Sequence, residues 1–344
     1  MPGNKQRFVG GLSGLVAAGL TALMVLRYRR DIRRARERIS TGSRVVDTPG
    51  GPIEYATAGA GRPLLIVHGA GGGFDQSLYL STPLAQVGFR VIAPSRFGYL
   101  RTPLPADASP EAQADAHAHL LDALEVPRTA VLGASAGAPS AMQFALRHPE
   151  RIEALVLLVP AAYPAHIAAR SGGATPGGAP TATAFLFDTA LRSDFLFWLA
   201  PRIARRTVLR AILATPPSAV ENATAEERAR VAGVLERVLP VRARRLGLVN
   251  DARVTSSLPR YELERVSVPT LAISLEDDLF RTYEGARYSA EHIPGARFVG
   301  YPKGGHLWAG HHREVMTRIA GFLADAIGAR NAPGSSPGAS ETGS

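Results

Sequence analysis

Six short strand-like runs punctuate the chain: Leu64–Val67, Val91–Ala93, Ala130–Leu132, Leu155–Val159, Thr270–Ile273 and Arg297–Val299. They are continuous rather than alternating, the pattern of strands buried on both faces of a parallel sheet. Segments with helical spacing lie between them, among them Glu111–Leu124, Ala138–Arg147 and His312–Ala326. This rhythm predicts βαβ units, hence an α/β fold with a mostly parallel central sheet and helices on both faces. From Ala161 to about Val266 the rhythm breaks. A Gly/Pro/Thr-rich stretch, SGGATPGGAPTAT, leads into helical segments with no strand, and an inserted helical lid is expected there. No repeat of 20 to 50 residues is present, which argues against a solenoid or propeller.

The two ends differ from this pattern. Phe8–Leu26 holds 19 consecutive uncharged positions, which as a helix span roughly 28 Å, close to the hydrocarbon thickness of a bilayer. Seven arginines follow between Arg27 and Arg38, against Asp31 and Glu37. These flanks predict an uncleaved N-terminal transmembrane helix rather than a signal peptide, with the main domain on the cytoplasmic side. Gly328–Ser344 is rich in Gly, Ser, Pro and Ala and is expected to be disordered. The expected organisation is an anchor with its basic flank at 1–43, a catalytic domain at 44–328 and a tail at 329–344.

Composition sharpens this division. The 344 residues are 46% hydrophobic and 20% charged, which excludes a wholly disordered chain. The absence of cysteine excludes disulfides, thiolate metal sites and thiol nucleophiles. A net charge of +10 raises nucleic acid as a partner, but residues 1–44 hold ten basic and two acidic side chains, leaving only +2 for the rest. The charge is therefore a topology signal, and no nucleic-acid partner is expected.

The sharpest chemical feature is Gly133-Ala134-Ser135-Ala136-Gly137, placed between a strand and a helix. Glycines permit a sharp turn from which the Ser135 hydroxyl projects clear of the sheet. A serine needs a base within hydrogen-bond reach, and the base needs an orienting acid. His306, in the loop Gly304-Gly305-His306-Leu307-Trp308, is the best placed of nine histidines. His117, His119, His148, His311 and His312 lie in or beside helical segments, where surface or capping roles are expected. Acids cluster at Glu276-Asp277-Asp278 after a strand, and the residues alone leave the choice among them open. His68-Gly69-Ala70-Gly71-Gly72-Gly73 offers backbone amides to a developing oxyanion, jointly with the amide of Ala136. It lacks the Gly-Lys-Ser/Thr and G-x-G-x-x-G patterns of nucleotide sites.

Over residues 44–328 the chain resembles the α/β-hydrolase superfamily. The resemblance is carried by HGAGGG at 68–73, the turn Ser95-Arg96-Phe97-Gly98-Tyr99, GASAG at 133–137, HPER at 148–151, LEDD at 275–278 and GGHL at 304–307. Relatives commonly carry Asp-x-x-Gly-x at the turn, and a G-x-x-D pattern before the acid, where Leu275 here replaces the glycine. That spacing selects Asp278 over Asp277. The resemblance implies a Ser135–His306–Asp278 triad with an oxyanion hole at Ala70 and Ala136, acting on a carboxylic ester without cofactor or metal. The large apolar side chains of Phe185–Phe187 and Phe195–Trp198 in the lid segment suit a small, apolar substrate. Carbon–carbon bond hydrolysis of ring-fission products or acyl transfer on the same fold is the alternative. A non-catalytic membrane-tethered interaction protein is the alternative of another class. For a hydrolase of this kind, activity on a neutral substrate is expected to rise as the base loses its proton.

Overall fold

The computed structural model describes residues 3–163 and 191–330, with side chains from 18 to 163 and from 191 to 328. Its centre is an eight-stranded sheet: β1 (Arg44–Thr48), β2 (Gly51–Ala58), β3 (Arg62–Val67), β4 (Phe89–Pro94), β5 (Thr129–Ala134), β6 (Ile152–Leu158), β7 (Thr270–Leu275) and β8 (Arg297–Tyr301). The spatial order is β1-β2-β4-β3-β5-β6-β7-β8; β1, β2 and β4 pair antiparallel and all other neighbours pair parallel. The six expected strands are all present. The β1–β2 hairpin was not expected, because its apolar positions are few and it is partly exposed along an edge.

Alternate side chains of the central strands feed two separate cores, which is why those strands read as unbroken apolar runs. In β3, Leu65 and Val67 belong to the core beneath α4 (Pro110–Ala123), α5 (Ala138–Arg147) and α11 (Thr282–His292). Leu64 and Ile66 belong to the opposite core, with Phe74 of α2 (Phe74–Leu80), Leu84 of α3 (Thr82–Gln86) and Val315, Ile319 and Leu323 of α12 (His312–Arg330). α4 is capped by Ser109, whose hydroxyl accepts from the Ala112 amide.

The inserted segment between β6 and β7 is helical where described: α6 (Asp194–Ile203), α7 (Arg205–Ala211), α8 (Pro217–Glu221), α9 (Ala225–Glu236) and α10 (Arg245–Thr255). Its glycine-rich entry and Phe185–Phe187 lie outside the described residues, as does the tail beyond Arg330.

The expected membrane-spanning helix falls within α1 (Gly3–Ser40) and is not supported by it. Among the described residues no helix is long and apolar enough to cross a membrane. Side chains before position 18 lie outside the described residues, so half of Phe8–Leu26 is described only as backbone. What is described is a 38-residue helix that runs without a break through the arginine segment and docks on the lid. Ile32 and Ala35 are buried with Trp198, Val238 and Val241, and the Trp198 indole donates to Asp31 at 3.0 Å. Arg38 of α1 donates to Asp75 at 2.9 Å, and the fully buried Arg244 of the lid donates to both oxygens of the same carboxylate at 3.0 and 3.1 Å. One buried carboxylate thus ties α1, the lid and α2 together.

Two histidines outside the 306 loop are enclosed among the described residues. His68, at the end of β3, and His117, in α4, are 3% and 1% exposed. His117 is therefore core rather than surface, because α4 turns Ala114, Ala116 and Ala118 inward around it. Burial, reinforced by the positive charge of Arg96, pushes His68 well below the ordinary histidine range and His117 down to about 3.

Two stability measurements test this packing. Asp75→Ala strands the Arg244 guanidinium without its carboxylate, and chemical denaturation should register a loss of about 3–5 kcal/mol; a loss below about 1 kcal/mol would contradict the clasp. For the histidines, the unfolded chain takes up protons below about pH 6.5 that the folded chain refuses, so their contribution is intact above that value and is lost as pH falls. His117 alone should cost about 2 kcal/mol between pH 7.5 and 5, a dependence that His117→Gln removes. Parallel pH profiles of wild type and variant would show that His117 is charged in the fold.

Candidate active site

β5 ends at Ala134, and the chain turns through Ser135–Gly137 into α5. Ser135 adopts φ +49°, in the left-handed region that an L-residue enters only at a cost of about 1–3 kcal/mol. Both glycines of the pentapeptide are demanded by close approach. A Cβ on Gly133 would sit 2.5 Å from that of Ala141, and one on Gly137 would meet the Val67 and His68 carbonyls. The turn is therefore pressed between β3 and α5, and the Ser135 side chain is left facing a cavity.

Ser135, His306 and Asp278 meet there although 171 and 28 residues separate the successive pairs. His306 Nε2 lies 2.9 Å from Ser135 Oγ, and His306 Nδ1 lies 2.7 Å from Asp278 Oδ2. A proton on Nδ1 facing the carboxylate leaves the Nε2 lone pair for the serine hydroxyl, the tautomer a general base requires. Asp278 is 3% exposed and is held by the Phe280 amide, which donates to Oδ1 at 2.8 Å, and by the Thr282 hydroxyl, which donates to Oδ2. The Phe280 ring packs edge-on against the imidazole at 4.9 Å.

The neighbouring acid does something else. Asp277 accepts the Gly304 and Gly305 amides at 3.1 and 2.7 Å, so it shapes the loop that presents His306. Two adjacent carboxylates thus hold one histidine, one through its ring and one through its backbone. The lid contributes a third support: the Ala214 carbonyl accepts from Leu279 and His306 amides at 3.0 and 3.3 Å, and Thr215 Oγ1 accepts from the Leu307 amide at 3.2 Å. Sequence reasoning passed over Asp277 as a support, Thr282, Ala214 and Thr215. Thr282 at the start of α11, four residues after Asp278, carried a signal; a backbone carbonyl carries none.

The glycine-rich loop lies against the serine. A Cβ on Gly69 would be 2.9 Å from that of Ser135, and Ala70 is exposed on the cavity wall, while Ala136 is buried in the turn after the serine. His68 fastens this loop from within: Nδ1–H donates to the Gly69 carbonyl at 2.7 Å, and Nε2 accepts the Arg96 amide at 3.0 Å, a pairing suited to the neutral ring. From outside, the Tyr99 hydroxyl accepts the Gly71 amide at 3.2 Å and donates to Asp251 of α10 at 2.5 Å. Arg96 grips Asp251 with two bonds of 2.8 and 2.6 Å, and Arg244 donates to the Gly72 carbonyl at 2.5 Å. The Ser95–Tyr99 turn therefore couples the loop to the lid through buried charge.

The cavity above Ser135 measures about 240 Å³. Its walls are mainly aliphatic and aromatic, with Leu132, Leu158, Phe197, Val238, Leu248 and Trp308 among them, and no Lys or Arg lines it among the described residues. Gln76 and Ser77 of α2 are its neutral polar side chains beyond the serine–histidine pair, His68 and Ser81, and the Ser77 hydroxyl has no partner among the described residues. Among those residues no cluster of three His, Asp or Glu is arranged to hold a metal.

Comparison with known proteins gives the family. The family model described as alpha/beta hydrolase fold matches residues 62–308. The chain is 26% identical over 291 residues to the uncharacterized hydrolase YcgS of Bacillus subtilis, covering 80% of this chain and 95% of that one. It is 26% identical over 288 residues to the 2-hydroxy-6-oxononadienedioate/2-hydroxy-6-oxononatrienedioate hydrolase of Paraburkholderia xenovorans, covering 79% and 90%. An alpha/beta hydrolase fold protein from Nakamurella multipartita superposes with a TM-score of 0.66 at 28% identity, over 83% of this chain and 99% of the other. An eight-stranded sheet, a serine on a tight turn after β5 and a family match that takes in that serine and strands β3 to β8 thus converge: the chain belongs to the α/β-hydrolase fold family and is a hydrolase.

Proposed function

We propose that this hydrolase cleaves neutral carboxylic esters, or closely similar acyl bonds, whose acyl group is apolar and small. The observation that carries the reading is the hydrogen-bonded line from Ser135 through His306 to Asp278 beside a cavity with no Lys, Arg, Asp or Glu among its described lining residues. Ser135 Oγ attacks the carbonyl carbon as its proton passes to His306 Nε2, and Asp278 stabilises the resulting imidazolium. The tetrahedral oxyanion is received by the amides of Ala70 and Ala136. Collapse expels the alkoxide, which takes the proton from Nε2, and leaves an acyl-serine. Water then attacks that ester, giving its proton to His306, and the carboxylic acid departs as Ser135 recovers its hydrogen.

Carbon–carbon bond hydrolysis is a second reading on the same serine, since the Paraburkholderia relative is named a hydrolase of a dienedioate and a trienedioate. A dioate brings two carboxylates, and burying a carboxylate without a cationic partner is costly. The lining favours a neutral substrate instead, with Gln76 and Ser77 available to a carbonyl, ether or hydroxyl oxygen of the acyl group.

Hydrolysis of p-nitrophenyl esters tests both reaction and pocket. Butyrate and hexanoate should exceed acetate in kcat/KM, and Ser135→Ala should abolish the difference from a protein-free blank. Asp278→Asn should lower kcat by about 10⁴, whereas Asp277→Asn, which loosens the histidine loop without touching the ring, should cost about tenfold to a hundredfold. Equal rates for wild type and Ser135→Ala would remove this site from the reaction. Faster turnover of a dioate than of any neutral ester would favour carbon–carbon cleavage.

A further inference from the structure

A second concavity, of about 440 Å³, lies between α1 and the lid helices α6, α7 and α9. Arg27, Arg30, Arg34 and Arg38 line it from α1, and Arg202 and Arg205 from the lid; Asp31 and Glu236 are its acids, leaving a surplus of four positive charges. The pairing inside it is incomplete. Asp31 is shared by Arg30 at 3.2 Å and Arg202 at 3.0 Å, and Arg38 is taken by Asp75. Arg27, Arg34 and Arg205 have no acidic partner among the described residues. Like charges spaced three and four apart along α1 repel, so the helix is stabilised by an anion set between them. Guanidinium groups match the oxygens of a phosphate in a two-bond fit.

The floor of the groove is apolar, formed by Phe197, Leu209, Val231, Leu235 and Leu239. Phe197 also lines the cavity above Ser135, so one side chain separates the two spaces. α6 runs antiparallel to α1, since Asp194 faces Arg36 at 3.9 Å while Arg202 faces Asp31. Ile203, 74% exposed, therefore lies toward the end of α1 that carries Leu20, Leu23 and Leu26, each 62% exposed. Unpaired arginines beside unburied leucines and isoleucine on one side of the molecule fit a surface that is anionic outside and hydrocarbon beneath. A free phosphate answers only the arginines. We propose that the α1–lid groove binds the anionic headgroup of a bilayer lipid, seating the enzyme on an acidic membrane surface with its lid against the bilayer. The site is distinct from the hydrolytic one and does not depend on the ester reading.

Co-sedimentation of the full chain with vesicles tests it. Wild type should pellet with phosphatidylglycerol/phosphatidylcholine vesicles, be released by 1 M NaCl and be left in solution by pure phosphatidylcholine. The triple variant Arg27→Ala/Arg34→Ala/Arg205→Ala should partition about a hundredfold less well, with a melting temperature no lower than wild type and unchanged turnover of a soluble ester. Equal binding to pure phosphatidylcholine, unaffected by salt, would overturn the proposal in favour of insertion of Phe8–Leu26. A triple variant that binds like wild type would overturn it as well. So would displacement from acidic vesicles by millimolar inorganic phosphate at constant ionic strength, which would assign the groove to a free anion.

Discussion

The structure is organised around one backbone constraint: Ser135 is held at a left-handed φ between β5 and α5. The strain is maintained because Gly133 and Gly137 have no room to relax, being packed on Ala141 and on the end of β3. That end of β3 opens into the loop carrying Ala70, so the contacts that strain the serine also bring the glycine-rich loop against it. Neither feature is free to move without the other. The parallel sheet supplies the rigidity, since its central strands are buried on both faces and transmit little slack.

Around this centre the fold uses buried carboxylates as rivets. Asp251 receives Arg96 and Tyr99, joining the lid to the turn after β4, and Asp75 receives Arg244 and Arg38, joining the lid and α1 to α2. Asp277 and Asp278 divide the histidine between them, backbone and ring. A buried ion pair adds little net stability relative to well-packed apolar groups, but breaking one is costly. Such pairs therefore fix position more than they raise stability. Position is what a site assembled from loops after four different strands requires.

Much of this was legible from residue order. The six central strands were readable because burial on both faces removes polar interruptions, and the β1–β2 hairpin was not, because an edge mixes polar with apolar positions. The residues Ser135, His306 and Asp278 announced themselves by type and by their place after strands. The supports did not: Asp277 looked like a duplicate acid, and Ala214 acts through a carbonyl that every residue possesses. His117 read as a helix-surface residue because its alanine neighbours carry little pattern, yet small side chains are what let α4 pack closely enough to enclose it. The apolar stretch Phe8–Leu26 reads as a span by its length and its flanks. In the described part of the fold, α1 instead spends its second half on the lid, a tertiary contact that no local pattern encodes.

The central claim is that one serine, activated by His306, carries the chemistry. Labelling the full chain with a fluorophosphonate and locating the adduct by mass spectrometry tests it most directly. The account predicts a single adduct on Ser135, formed far more slowly in His306→Ala. An adduct on any other serine, or labelling of Ser135 at an unchanged rate without His306, would contradict it.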